Sequence, residues 1–173
     1  MRASQEMSAN IDSILKLTRR APAAEEQEQM SVQQVLGEVM EDIDRSIGET
    51  ARIRVQAYGS PSLVSDRLLA KMLLRNLLQN ALQHTRGVVE VIVRDDAIEI
   101  ADQGHGLPES QKKLLRDELG DASALLALSG LGLFIVTLIC ERLDWRLEVI
   151  QSSMSGTTLR LHYRQQTKVL ENM

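Results

Sequence analysis

Apolar residues recur every three to four positions in three long stretches of this chain and every second position in five short ones. The first long stretch, residues 4–20, places Met7, Ile11, Ile14 or Leu15, and Leu17 on one face, with polar residues on the other. That spacing predicts an amphipathic helix with nothing local to pack on, and so a helical partner elsewhere. The second runs from a capping Ser31 through VQQVLGEVMEDIDRSIGE, with Val32, Val35, Leu36, Val39 and Ile43 as its stripe. The third is a long helix from about Asp66 to about His84. A further segment, LGLFIVTLICERL, is apolar on nearly all sides, which predicts a buried helix. Strict alternation marks RIRVQAY, VVEVIVR, AIEIA, WRLEVIQS and TTLRLHYR as strands. Asp95-Asp96 is a tight turn between two of them, SMSG joins the last pair, and GSPSLVSD reads as a turn.

The order is helix, linker, then α-β-α-β-β-loop-α-β-β. It predicts an α+β two-layer sandwich, a mixed sheet covered on one face by three helices and preceded by the amphipathic helix. The divisions are residues 1–20 for that helix, 21–30 for an Ala-Pro-acid linker, 31–164 for the main domain and 165–173 for a tail.

Composition narrows the function. Aromatic residues make up only 2% of the 173, so the core is aliphatic and a base-stacking nucleic-acid surface is disfavoured. A net charge of -4 without a basic patch points the same way, so no nucleic-acid partner is expected. No apolar run reaches the roughly 18–20 residues a membrane span needs, and the first residues lack a signal-peptide core, so no membrane contact is expected of these residues. The single cysteine, Cys140, lies in the apolar helix and predicts a buried thiol in a reducing compartment. His84, His105 and His162 have no metal-ligand spacing with another His, Cys or acid, so no zinc site is expected. His105 reads as exposed loop and His162 as structural or solvent-facing.

One irregularity carries chemistry. In LLRNLLQNALQHT two asparagines, Asn76 and Asn80, stand one helical turn apart on an otherwise greasy helix, although Asn is a mediocre helix former. A solvent-facing polar stripe is the plain explanation until the glycines are added. AIEIA ends in Asp102, followed by Gln103-Gly104-His105-Gly106. Ser129-Gly130-Leu131-Gly132-Leu133 opens the apolar helix, and Ser155-Gly156-Thr157-Thr158 opens the last strand.

In this order the motifs resemble the ATP-binding domain of sensor histidine kinases, in the GHKL superfamily shared with type II topoisomerases, heat-shock chaperones and mismatch-repair ATPases. NLLQNALQHT is similar to the N box, DQGHG to the first glycine box, SGLGL to the second and SGTT to the last. The resemblance spans roughly residues 30–164, and SILKLTRR is similar to the end of the second helix of a kinase dimerisation domain. It implies a Bergerat-type fold with ATP and Mg²⁺ as cofactors.

By that resemblance Asp102 accepts the adenine amine, and Gly104, Gly106 and Leu107 form the backbone beside the base. Asn80 is the Mg²⁺ ligand, and Asn76 supports it or the phosphates. A neutral amide oxygen suits a hard ion whose charge the triphosphate already balances. Ser129, Gly130, Leu131, Gly132 and Leu133 offer a helix N-terminus to phosphate. Gln83, His84 and Thr157 complete the pocket. His84 stands where the family often has Tyr or His, and Gln83 where a Lys or Arg often meets phosphate. Lys112, Lys113 and Arg116 are substitutes from the following loop, a lid of about residues 104–129.

The ATPase members have a glutamate four residues before the magnesium asparagine. Here that residue is Asn76, which takes up no proton at neutral pH. The resemblance therefore implies phosphoryl transfer rather than rapid hydrolysis. The implied activity is transfer of the γ-phosphate to a histidine on a dimerisation helix, then relay to an aspartate of a response-regulator receiver. No histidine precedes His84, so the chain reads as a fragment that binds ATP without labelling itself. The implied partners are ATP, the rest of the kinase dimer through residues 4–20, and the receiver. The implied location is the cytoplasm, under an inner-membrane parent. Two features depart from the family pattern: the second glycine box has Leu128 where a glycine is usual, and the lid lacks a phenylalanine. They leave two alternatives, a degenerate nucleotide pocket serving as a scaffold module and an anti-sigma-type serine kinase.

Overall fold

A computed structural model describes residues 27–116 and 131–163. The helix predicted over 4–20, most of the linker, Ser129, Gly130 and the tail beyond Tyr163 lie outside the described residues. In chain order the elements are β1 (Gln27–Ser31), α1 (Val32–Ile47), a 3₁₀ turn (Thr50–Arg52), β2 (Ile53–Ala57), β3 (Ser62–Asp66), α2 (Arg67–His84), β4 (Val89–Val93), β5 (Ala97–Asp102), α3 (Glu109–Leu115), α4 (Leu131–Leu143), β6 (Arg146–Ser153) and β7 (Gly156–His162).

Five strands form one mixed sheet in the order β2-β4-β5-β7-β6. β2 and β4 are parallel, and the other neighbours are antiparallel. Alternation decides its two faces. Val89, Val91, Val93, Ile98, Ile100, Leu159 and Leu161 are buried in the core with α1, α2 and α4. Glu99 and Arg160, cross-strand partners on the opposite face, are joined by an ion pair of 2.9 Å. This is the predicted two-layer α+β sandwich, and nearly every predicted helix and strand within the described residues is present.

The helices begin and end where their caps dictate. Ser31 Oγ accepts the Gln34 N–H, and Asp66 Oδ1 accepts the Leu69 N–H at 3.0 Å. Gly48 closes α1 in the left-handed region, φ 66°, and returns its N–H to the Asp44 carbonyl. Just past the end of α4, Asp144 adopts φ 57°, and the Trp145 N–H reaches the Cys140 carbonyl at 2.9 Å.

Two segments differ from the sequence reading. Gln27–Met30, assigned to the linker, and Ser62–Asp66, read as a turn, pair antiparallel as a separate two-stranded sheet. The first is mostly polar, the second has its apolar residues Leu63 and Val64 adjacent rather than alternating, and each strand's partner is more than 30 residues away, so no local alternation announces them. Met30, 2% exposed, anchors the ribbon in the core. Beside it, Arg67 and Lys71 of α2 hold Glu38 of α1, Arg67 also faces Glu28 at 3.7 Å, and Lys71 faces Asp42 at 3.5 Å. The ambiguous stretch after the first glycine box contains one short helix, α3, within the described residues.

Candidate functional site

The site forms where β5 and β7 meet the C-terminal end of α2. Asp102 is the last residue of β5 and pairs in register with Thr157 of β7. Paired residues share a face, so both continue the helix-facing rows of Ile98–Ile100 and Leu159–Leu161. Thr157 is buried and Asp102 half-buried. Asp102 Oδ1 accepts the Gly104 N–H at 2.8 Å, an Asx turn that fixes the carboxylate at the sheet edge. Its other oxygen has no partner among the described residues.

Gly104 is required by space. A Cβ there would lie 2.3 Å from the His84 carbonyl oxygen, so the loop after β5 and the end of α2 touch backbone to backbone. Gly106 is required by conformation: φ is 83°, and a Cβ would meet the Ser153 carbonyl at 2.7 Å. The next residue, Leu107, donates its N–H to Ser152 Oγ at 2.8 Å and buries its side chain in the core. The β6–β7 hairpin thus supports the start of the lid. At Gly156, φ 142°, a Cβ would lie 2.2 Å from the Asp102 carbonyl oxygen, which explains a glycine at the start of β7.

The asparagines lie one and two turns before the helix end. Asn76 donates Nδ2 to the Met72 carbonyl at 2.8 Å, leaving Oδ1 toward Gly132, whose added Cβ would stand 3.4 Å away. The N box and the described part of the second glycine box are therefore in contact. Asn80 is half-buried, and its side chain makes no hydrogen bond among the described residues. Gln83 is exposed and His84 half-buried. Leu131 and Gly132 are half-buried at the first turn of α4, where backbone N–H groups lack intrahelical acceptors. Leu133 is part of the core, 1% exposed. Ser129 and Gly130 lie outside the described residues.

The cationic candidates of the lid divide. Arg116 is engaged with Glu109 at 2.9 Å, whereas Lys112 and Lys113 make no ion pair among the described residues. His105 is exposed, and His162 sits on the far face of the sheet with Glu148 at 2.8 Å. That hydrogen bond, with Arg146 nearby, holds the Glu148 carboxyl below its ordinary range. Cys140 is buried, and desolvation pushes its thiol up to about 12.

Arg52 escaped the sequence reading. At the head of β2 it donates to the carbonyls of Leu82 at 3.1 Å, Thr85 at 2.7 Å and Gly87 at 3.2 Å, and pairs with Glu49. Its only local signal is a charge before an alternating strand, because its partners are 30 or more residues away.

A pocket for ATP and Mg²⁺ needs an acceptor for the adenine amine, backbone close to the base and an uncommitted oxygen for the metal. The free oxygen of Asp102, the Gly104 cradle against His84 and the unpartnered Asn80 amide fit those needs. Among the described residues no three His, Cys, Asp or Glu side chains gather as a metal-holding group, and no helix is long and apolar enough to cross a membrane.

Comparison with known proteins gives the same fold. The cytoplasmic segment of histidine kinase QseC aligns at TM-score 0.64 and 20% identity, over 93% of this chain and 94% of that one. The Acinetobacter baumannii histidine kinase AdeS aligns at TM-score 0.67 and 16% identity, over 95% and 80%. Full-length ShkA, solved in complex with AMPPNP, aligns at TM-score 0.68 and 18% identity, over 94% of this chain and 36% of that one. No curated protein sequence matches. Residues 64–167 match the family described as histidine kinase-, DNA gyrase B- and HSP90-like ATPase. The chain belongs to that family, and its described residues carry the fold of a histidine kinase catalytic domain.

Proposed function

We propose that this chain binds MgATP and transfers the γ-phosphate to a histidine on a dimerisation helix, for relay to an aspartate of a receiver domain. The observation that carries the reading is Asp102: one oxygen is fixed by Gly104, the other is free, and both sit where β5 meets the N-box helix. A carboxylate oxygen held there accepts the adenine amine and rejects the carbonyl that guanine presents. Asn80 is the residue that holds Mg²⁺, and the bound ion neutralises charge on the triphosphate. Asn76 braces this region through Met72 and faces Gly132. The backbone N–H groups of Leu131 and Gly132 bind phosphate oxygens. Lys112 and Lys113 reach the phosphates from the lid, in place of the cation that Gln83 does not supply.

Nothing at position 76 activates water. An amide is neither a base nor ionisable, so transfer by positioning and charge neutralisation is favoured over hydrolysis. None of the three histidines is an acceptor: His84 belongs to the pocket, His105 to the lid and His162 to the far face, bonded to Glu148. Residues 4–20 pack with the rest of the kinase dimer. The test is incubation with γ-labelled ATP. The reading expects slow phosphate release and no acid-labile label on this chain alone. It expects labelled histidine when a histidine-bearing dimerisation domain is supplied in the same polypeptide, lost in Asn80→Ala. Fast hydrolysis, or acid-stable label on serine, overturns it.

A further inference from the structure

Every α-helix leaves its last carbonyls without backbone donors, and α2 has no backbone cap at Thr85, which is extended (φ −136°, ψ 151°). Arg52 supplies the donors instead. One guanidinium reaches Leu82 in the last turn, Thr85 at the cap and Gly87 beyond it, while its Nε is held by Glu49 at 2.6 Å. Charge-assisted bonds to three carbonyls fix both the position and the rotation of residues 82–87.

Residues 82–87 form one wall of the glycine box. The His84 carbonyl lies against Gly104, with no room for a Cβ, and a Cβ on Gly87 would lie 2.8 Å from Gln103 Oε1. Asp102, which anchors Gly104 through its Oδ1, therefore leads into a loop whose far side is the segment Arg52 holds. Arg52 itself is on a different element, and its guanidinium makes no hydrogen bond or ion pair with Asp102 or Gly104.

We propose that Arg52 is a positioning residue for the nucleotide site: it sets the α2 terminus against Gly104 and so fixes the Asp102 carboxylate for adenine. This rests on the ATP-binding reading of Asp102 for its consequence, but the mechanical link between residues 82–87 and 102–107 stands apart from it. Loss of the three bonds frees the His84 carbonyl to move and lets the glycine box open.

The test compares Arg52→Met with Arg67→Met in the full chain. Arg67 lies at the opposite end of α2, in the ion-pair network with Glu28 and Glu38, away from the pocket. Two quantities are read: amide hydrogen exchange of residues 82–87 and 102–107 without nucleotide, and the Kd for Mg-ATP. Arg52→Met is expected to speed exchange in both segments and to raise Kd about tenfold. Arg67→Met is expected to lower the unfolding midpoint while leaving exchange at 102–107 and Kd unchanged. If Arg52→Met does not fold, Arg52→Lys, which keeps the charge but not the planar fork, takes its place with the same expected directions. Unchanged exchange at 102–107 in the Arg52 variant, or an equal rise in the Arg67 variant, overturns the proposal. An unmutated chain that binds no Mg-ATP refutes the functional reading, while the exchange comparison still decides whether Arg52 governs the glycine box.

Discussion

The His84 carbonyl and Gly104 meet with no space between them: a single added methyl carbon would approach the oxygen to 2.3 Å. This contact joins the end of the asparagine-bearing helix to the loop that follows Asp102. Gly104→Ala must therefore displace the helix end, the loop or both. We expect this variant to fold but to bind Mg-ATP at least about tenfold more weakly, since misplacing one hydrogen-bonded acceptor costs about 1–3 kcal/mol. Titration calorimetry beside circular dichroism separates the two effects.

Asp102→Asn tests the carboxylate with almost no change in shape. The amide either turns its nitrogen toward the Gly104 N–H or presents it to the adenine amine, and both arrangements set donor against donor. We expect Mg-ATP affinity to fall on the order of 100-fold, consistent with about 1.5–3 kcal/mol for a hydrogen bond to a charged group. Thermal unfolding in the absence of nucleotide should move little.

The ion-pair network between α1 and α2 predicts a pH dependence. Burial alone would raise the Glu38 carboxyl, but hydrogen bonds and charge from Lys71 and Arg67 outweigh it and lower it from 4.5. A group lowered on folding contributes stability that is present above its unfolded value and lost as pH falls through the folded one. We expect the urea midpoint to drop as pH falls below about 4.5, and the drop to be smaller in Glu38→Gln. Equal acid sensitivity in the two proteins would argue against the network.

Cys140 supplies a chemical probe of folding. Its thiol is buried and pushed up to about 12 by desolvation, with the nearby Glu141 charge adding to the effect. A thiol reagent at pH 8 should not modify the native protein, and modification should follow the rate of unfolding in denaturant. Rapid labelling of the folded chain would contradict this burial.

Much of this was legible in the sequence because the physics was local. The stripe of Val35, Leu36, Val39 and Ile43, the cap at Ser31, and the alternation of Val89, Val91 and Val93 each follow from the local sequence. The order of asparagines, aspartate and glycines likewise pointed to the family. What escaped was set by distant partners. Gln27–Ser31 becomes a strand only because Ser62–Asp66 lies beside it. Arg52 owes its importance to three carbonyls brought near only by the completed fold.

Asp102 is proposed to build an adenine-selective pocket. Its most direct test is calorimetric titration of Mg-ATP and, in parallel, Mg-GTP into the unmutated chain and into Asp102→Ala. ATP is expected to bind, GTP is not, and the substitution is expected to remove the ATP heat while the protein stays folded. No heat with ATP in the folded, unmutated chain, or equal binding of ATP and GTP, would contradict it.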